Sequence, residues 1–291
     1  MSPTFAPYSG LNLRSAKRFL AAQFRAAGLP FAEDDALELV LGLSGLDHAQ
    51  YLARGTEFLT TDALDALRDA ADRRLRGEPV DRILGYRDFY GRRFAIDGVL
   101  SPRGDSEVLL LAALGAVRDT PRPRVLELGT GSGALAVSLV AEHAGAQVTA
   151  TDASPAALRT AQINARAHRA DGRLRLLGAD WWNGVEGVFD AVLSNPPYIT
   201  DAAMTALPRE VAAFDPPLAL RGGADGLEAF RAIVPGAGRH LMPGGWLGVE
   251  IGFDQGEAVS GLFRAAGFEA VGVRCDPADL PRVVEGRWPG C

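Results

Sequence analysis

Residues 125–133 read Val-Leu-Glu-Leu-Gly-Thr-Gly-Ser-Gly, and the segment 134–142 that follows is almost wholly apolar. An apolar run ending in glycines at alternate positions predicts a buried strand, a tight turn and a helix. Glycines lack a Cβ, so a ligand can come close to the backbone there. The turn would lie between a strand's carboxyl end and a helix's amino end, where open parallel sheets bind nucleotides. Two ligands compete for it. With Ala134 the segment satisfies G-x-G-x-x-G/A, which suits a nicotinamide dinucleotide. The acidic-x-G-x-G-x-G form, from Glu127 to Gly133, suits S-adenosylmethionine better. In either case the expected contacts are Glu127, Gly129, Thr130, Gly131, Ser132 and Gly133.

Outward from this turn, strands and helices alternate, the pattern of a parallel sheet with helices on both faces. Segment 147–151 predicts the second strand and ends at Asp152. A carboxylate roughly 20 residues past the glycines can accept both ribose hydroxyls. Ser154-Pro155 reads as an N-cap followed by proline at the first helical position. Segment 174–177 predicts a third strand, followed by Asp180-Trp181. Asp180 could take an adenine amino group, and the Trp181 ring could stack on the base. Segments 189–193, 245–251, 270–274 and 282–284 complete the strands, and helices are expected over 108–117, 224–237 and 255–266. The fold class expected is α/β, a doubly wound Rossmann-like sheet over residues 101–291.

The fourth strand runs into Asn195-Pro196-Pro197-Tyr198. Each proline fixes φ and removes an N–H, and each pushes the preceding residue towards extended backbone. The result is a stiff loop that offers carbonyl oxygens, one amide side chain and one aromatic plate. Such a loop can hold a planar NH2 group, with two acceptors for its hydrogens and a ring over its face. A dehydrogenase has no use for it, so it decides the earlier ambiguity in favour of methyl transfer to an amide or aromatic amine.

Residues 1–76 predict a small helical bundle. Leu13, Lys17, Phe19, Leu20 and Phe24 have helical spacing, Gly28-Leu29-Pro30 stops it, 36–43 supplies a second apolar face, and Thr61-Asp62 can cap a third helix. Residues 77–100 read as a β-hairpin linker between the two domains. A hydrophobic content of 47% with 23% charged residues is that of an ordinary globular protein. No apolar run reaches the ~20 residues of a membrane span, and MSPTFAPYSG has no secretory pattern. A net charge of −6 argues against broad or sequence-specific nucleic-acid binding. Cys275 and Cys291 have no metal-ligand spacing and fit a reduced, cytoplasmic protein. His48, His143, His168 and His240 are scattered, so no metal is expected.

From Glu78 onward the chain resembles the HemK/PrmC-type glutamine methyltransferases that modify peptide chain release factors. The resemblance rests on Glu78-Pro79 with Ile83-Leu84-Gly85, on residues 126–133, on Asn195-Pro196-Pro197-Tyr198-Ile199, and on Glu210-Val211 with Phe214-Asp215-Pro216. It continues through Gly222-Gly223-Ala224-Asp225-Gly226-Leu227, Glu250-Ile251-Gly252, residues 254–259 and Val283-Val284-Glu285-Gly286-Arg287. Where the family usually has Pro-Arg-Pro, this chain has Pro102-Arg103-Gly104, which loosens that turn. The resemblance implies a class I S-adenosylmethionine-dependent methyltransferase sheet, S-adenosylmethionine as cofactor, and the glutamine of a release factor's Gly-Gly-Gln loop as substrate. It implies that Asn195 Oδ1 and the Pro196 carbonyl accept the amide hydrogens, with Pro197 shaping the loop and Tyr198 packing on the amide plane. It also implies that the helical domain helps dock the release factor. The four-residue motif also serves adenine amino groups in DNA or RNA, and a ribosomal-protein glutamine is chemically equivalent. A binding protein that holds a release factor without turnover is the remaining alternative.

Overall fold

The computed structural model describes residues 10–290. The N-terminal segment read for a secretory pattern, apart from Gly10, lies outside them, as does Cys291; Cys275 is exposed. The chain forms two compact units, Met1–Gly85 and Tyr86–Cys291.

In the first unit, α1 (Leu13–Ala26) carries Leu13, Ala16, Leu20 and Phe24 on one buried face. Asn12 caps it: its Oδ1 accepts from Ser15 N at 2.9 Å, and Ser15 Oγ accepts from Asn12 N at 2.9 Å. α2 (Ala32–Ser44) ends at Gly45, whose φ of 65° supplies the left-handed C-cap. α3 (His48–Arg54) and α4 (Thr61–Leu75) follow, the latter capped by Thr60, one residue before the expected position. Leu39, Val40, Leu67 and Ala71 complete the core; each fully buried large aliphatic contributes roughly 1.5–3 kcal/mol. Arg74 is buried and pairs with Asp35 at 2.8 Å. α5 (Val80–Leu84) stands where the first residues of a hairpin were expected. Val80, Ile83 and Leu84 have the i, i+3, i+4 spacing of a single helical turn, and all three pack into this unit's core.

The second unit opens with the hairpin β1 (Tyr86–Phe89) and β2 (Arg92–Ala95). Tyr90 and Gly91 both have positive φ, 46° and 70°, as a two-residue turn with the strands' twist demands. This hairpin is not a free linker. Phe89 and Phe94 are buried in the unit's core. Asn164 clamps Ala95 from both sides, accepting from its N–H at 2.8 Å and donating to its carbonyl at 2.9 Å.

The remaining elements are α6 (Glu107–Val117), β3 (Arg124–Leu128), α7 (Ala134–Glu142), β4 (Gln147–Asp152), α8 (Pro155–Ala167), β5 (Leu174–Gly178) and β6 (Phe189–Ser194). After β6 come α9 (Asp201–Met204), α10 (Arg209–Phe214) and a 3₁₀ turn at Pro217–Ala219, none of which the sequence reading placed. Then follow α11 (Glu228–Ala237), β7 (Leu241–Glu250), α12 (Gly256–Ala265), β8 (Glu269–Cys275) and β9 (Pro281–Arg287). The seven-stranded sheet has the order β5-β4-β3-β6-β7-β9-β8. β3 to β7 are parallel and β9 is antiparallel to both neighbours. This is the doubly wound α/β sheet expected for residues 101–291.

Two cores cover the sheet. One packs Leu109, Leu110, Val137 and Ala165 on Val125, Val148 and Leu193. The other packs Phe230, Ile233 and Phe263 on Leu126, Leu128, Val192 and Val249. Strand order reverses between β3 and β6, so the crevice at their carboxyl ends is the place for a ligand. Among the described residues, no helix is long and apolar enough to cross a membrane.

Candidate active site

The glycine turn leaves β3 with Gly129, Gly131 and Gly133 all at positive φ, 73°, 55° and 79°. Their uses differ. A Cβ on Gly131 would meet nothing within 4 Å, so its face is open to a ligand. A Cβ on Gly133 would come to 3.1 Å from that of Ala161, so this glycine allows close packing of α8. Ser132 gives its carbonyl to Asn164 Nδ2 at 2.8 Å. Thr130 N donates to the Thr151 carbonyl at 2.8 Å, tying the turn to β4.

Glu127 supports the turn from beneath. It is 1% exposed, and its Oε2 accepts from Thr130 Oγ at 2.7 Å and from Ala136 N at 3.1 Å. Burial pushes its carboxyl up to about 8, against those hydrogen bonds. Asp152, at the end of β4, accepts from Gly131 N at 2.9 Å and from Ser154 N at 2.8 Å, one on each oxygen. Each oxygen keeps lone-pair capacity for a further donor. Trp181 holds the left-handed region at φ 49°, with its ring 3.9 Å from where a Gly129 Cβ would stand. Trp182 turns away; its Nε1 donates to the Ala232 and Ile233 carbonyls, and its ring stacks on His240.

The opposite wall is built on β6 and β7. Their register sets Ser194 against Val249, which brings Asn195 beside Glu250. Asn195 Nδ2 donates to Ser106 Oγ at 3.0 Å. Ser106 closes the 3₁₀ turn Gly104–Ser106, which is pinned on both flanks: Arg282 bridges Asp105 at 3.0 Å and Arg103 bridges Asp215 at 2.9 Å. The turn expected to be loosened by Gly104 is thus held by its neighbours. Glu250 is 3% exposed. Burial pushes its carboxyl up to about 7; hydrogen bonds from Ser106 and Asn195 and the charge of Arg282 act against that rise, and Asp105 adds to it.

The proline loop is as stiff as its sequence demands. Ile199 N donates to the Leu220 carbonyl at 2.9 Å, and Gly222 N to the Ile199 carbonyl at 2.8 Å. A Cβ on Gly222 would fall 2.7 Å from the Tyr198 Cα, so glycine is required for this approach. The Tyr198 ring packs against the second core. Burial pushes its hydroxyl up to about 12, with the charge of Glu250 adding to the rise.

The two walls enclose a cavity of about 480 Å³, a size ordinary for a small-molecule ligand. Glu127, Gly129, Thr130, Gly131 and Ser132 line it, as do Asp152, Asp180, Trp181, Asn195 and Pro197. Gly133, Pro196 and Tyr198 are not part of the lining. The residues fit S-adenosylmethionine: an open glycine edge, a carboxylate with spare lone pairs, an aromatic ring and mostly apolar walls. No cluster of potential metal ligands occurs among the described residues. Sequence reasoning gave no role to Ser106 or Glu250. Glu250 lay inside a quoted motif, but only the pairing of β6 with β7 brings it to Asn195.

Residues 15–85 match the model of the PrmC N-terminal domain, and residues 105–214 match that of the methyltransferase small domain. A release factor glutamine methyltransferase of Bradyrhizobium diazoefficiens is 40% identical over 286 residues, covering 97% of this chain and 96% of that protein. One from Cereibacter sphaeroides is 42% identical over 280 residues, covering 96% and 99%. Among solved structures, the hMettl16 catalytic domain in complex with the MAT2A 3'UTR hairpin 6 shares the fold, with a TM-score of 0.56 at 14% identity, over 79% of this chain and 82% of that one. With the sheet order, the cavity and this near full-length identity together, the chain belongs to the release factor glutamine methyltransferase family and is an S-adenosylmethionine-dependent methyltransferase.

Proposed function

We propose that this enzyme methylates the side-chain amide nitrogen of the glutamine in the Gly-Gly-Gln loop of peptide chain release factors, in the cytoplasm. The observation that carries this reading is the Asn195 side chain: the residue lines the cavity and its Nδ2 donates to Ser106 Oγ, so Oδ1 is the atom left to accept. S-adenosylmethionine supplies the activated methyl on its sulfonium sulfur. The backbone of Gly129 to Ser132 takes its amino-acid end, Asp152 accepts from the ribose hydroxyls, Asp180 accepts from the adenine amino group, and Trp181 stacks on the base.

Asn195 Oδ1 and the Pro196 carbonyl accept the two hydrogens of the substrate amide. An amide nitrogen is a poor nucleophile because its lone pair is conjugated with the carbonyl. Two fixed acceptors turn that lone pair towards the methyl and favour the positive charge that develops on nitrogen, so the chain's contribution is orientation and electrostatics. The Tyr198 ring packs on the amide plane. The nitrogen would gain the methyl as its bond to the sulfonium sulfur breaks, leaving a neutral thioether, and would give up one proton, late, through a backbone carbonyl or water. Helices α1 to α5 serve to dock the release factor.

The test is mass spectrometry of release factor tryptic peptides after incubation with the enzyme and S-adenosylmethionine. One added methyl on the Gly-Gly-Gln glutamine is expected; a methyl elsewhere, or none, overturns the reading.

A further inference from the structure

We infer that Gln255 is a positioning residue for the reaction: its side-chain amide holds the Tyr198 carbonyl and so fixes the far end of the proline loop that presents Asn195 Oδ1 and the Pro196 carbonyl to the substrate. This rests on the function proposed above and deepens it.

The proline loop is stiff within itself but must still be aimed. Prolines at 196 and 197 fix φ and leave ψ to turn, and neither has an N–H through which a neighbour could hold it. The loop is therefore anchored at its ends. At the near end Ser194 Oγ donates to the Leu128 carbonyl at 2.7 Å, and Asn195 Nδ2 to Ser106 Oγ at 3.0 Å. At the far end Gln255 Nε2 donates to the Tyr198 carbonyl at 3.2 Å. That carbonyl belongs to the same planar peptide unit as the Ile199 N–H, which donates to the Leu220 carbonyl at 2.9 Å. One bond would let the unit rock about it. Two bonds on opposite edges set its plane, and with it ψ of Tyr198.

Three features mark this as a role and not incidental packing. Gln255 is the N-cap residue of α12, yet its side chain makes no cap hydrogen bond; glutamine is not among the favoured caps, and here it reaches sideways instead. The residue is 9% exposed, and its amide is fully engaged. Nε2 also donates to the Gly226 carbonyl at 3.1 Å, and Oε1 accepts from Gly252 N at 2.9 Å. A flipped amide would set Oε1 against two carbonyls and Nε2 against an N–H, so one orientation alone is allowed. Finally, the backbone makes room for it. A Cβ on Gly226, at φ 73°, would collide with the Tyr198 carbonyl oxygen and stand 2.7 Å from Gln255 Nε2.

The loops after β6, before α11 and after β7 thus meet on one side chain. Gln255 N donates to the Gly252 carbonyl at 3.0 Å, which closes a reciprocal pair with Gly252 and fixes the base from which the amide reaches. Gln255 does not line the cavity, whereas Asn195 and Pro197 do, so its influence on the substrate passes through the loop.

The experiment measures single-turnover methyl transfer to a purified release factor by wild type, Gln255→Glu and Gln255→Met. Calorimetric S-adenosylmethionine binding and the steady-state KM for release factor are measured alongside. Glutamate keeps the shape and the acceptor for Gly252 N but loses both donors; methionine has similar length and no donor. Each variant is expected to bind cofactor to full stoichiometry, with affinity and KM within about twofold of wild type. Its transfer rate should fall at least about tenfold, since a misplacement of about 1 Å can cost about 10²-fold. A merely structural role would instead lower the fraction of chains that bind cofactor, and a rate loss that only tracks that fraction overturns the proposal. Gln255→Glu at the wild-type rate would leave Gly252 as the partner that matters. A slow Gln255→Glu beside a wild-type Gln255→Met would trace the loss to the added charge. Either result overturns the proposal. Should one variant not fold, the other decides by its rate and stoichiometry. If the wild type itself adds no methyl to the release factor, the proposed function fails and this inference falls with it. If the wild type methylates and both variants match it, only the positioning role falls.

Discussion

Two glutamates are buried at the carboxyl ends of parallel strands on either side of β6, and the protein treats them differently. Glu127 on β3 and Glu250 on β7 are 1% and 3% exposed, and burial raises both, to about 8 and about 7. Glu127 accepts from a backbone N–H and from a threonine of its own turn. Its partners are fixed by the strand–turn–helix itself, so it is a strut. Glu250 has no such backing: its Oε2 is buried without a hydrogen-bond partner, and the side chains that bear on it, Ser106 and Asn195, line the cavity. Equal burial and similarly weakened acidity therefore do not mean equal surroundings; what differs is whether the carboxylate is held by its own turn or left partly unsatisfied.

The largest loss is expected on the Glu250 side of the cavity, at Asn195. Asn195→Ala should lower the methyl-transfer rate by about 10²–10³, by analogy with the loss of one oriented oxyanion-hole donor. Cofactor affinity, followed by calorimetry, should stay nearly intact. A near wild-type rate would detach Asn195 from the substrate amide.

On the other wall the expected loss is in binding. Asp152→Ala should weaken S-adenosylmethionine by roughly 10- to 100-fold, the equivalent of one or more charge-assisted hydrogen bonds at about 1.5–3 kcal/mol. It also removes a negative charge that raises Glu127. An unchanged dissociation constant would detach Asp152 from the ribose. A smaller effect is expected from a chain beginning at Tyr86, the first residue of the second compact unit. It should bind S-adenosylmethionine as the full chain does and methylate intact release factor about tenfold more slowly; an equal rate would end the docking role of α1 to α5.

The smallest effect is on stability. Glu127 has its folded pKa raised from an ordinary 4.5 to about 8. Below pH 4.5 both folded and unfolded chains carry the proton. As pH rises, the unfolded chain ionises first, so stability is withdrawn progressively up to about pH 8. Glu127→Gln has no such dependence. Its Tm relative to wild type should therefore climb between pH 5 and pH 8, on the order of 2–4 °C for each kcal/mol. A constant difference would mean that Glu127 keeps its charge in the fold.

Much of this was legible in the sequence for identifiable reasons. Buried parallel strands such as 125–128 and 189–193 are short apolar runs closed by turn residues, and alternate glycines or paired prolines leave few backbone conformations. The stretch 201–219 was not legible: α9, α10 and the following 3₁₀ turn are each a turn or so long, too short for a hydrophobic period to show. α5 was missed for the same reason, although Gly85, at φ 77°, is an ordinary helix terminator. Ten of the thirteen expected site residues line one cavity. Gly133 serves helix packing because its conformation suits both uses and spacing alone cannot separate them. Ser106 and Glu250 stayed hidden because their meaning depends on sheet order, which brings together residues far apart in the chain.

The clamp of Asn164 on β2 has a consequence for how this protein could be recombined with others. That one side chain holds Ala95 by two hydrogen bonds and the Ser132 carbonyl by a third, and Thr160 Oγ on the same helix donates to the Asp97 carbonyl at 2.7 Å. The hairpin is thus inherited with the cofactor turn, whatever precedes it. A chimera that exchanges the helical unit for that of a relative should be spliced at Gly85. A splice after Leu100 would bring in a foreign hairpin, and Asn164 would have to find its partners on a strand that was shaped against another helix.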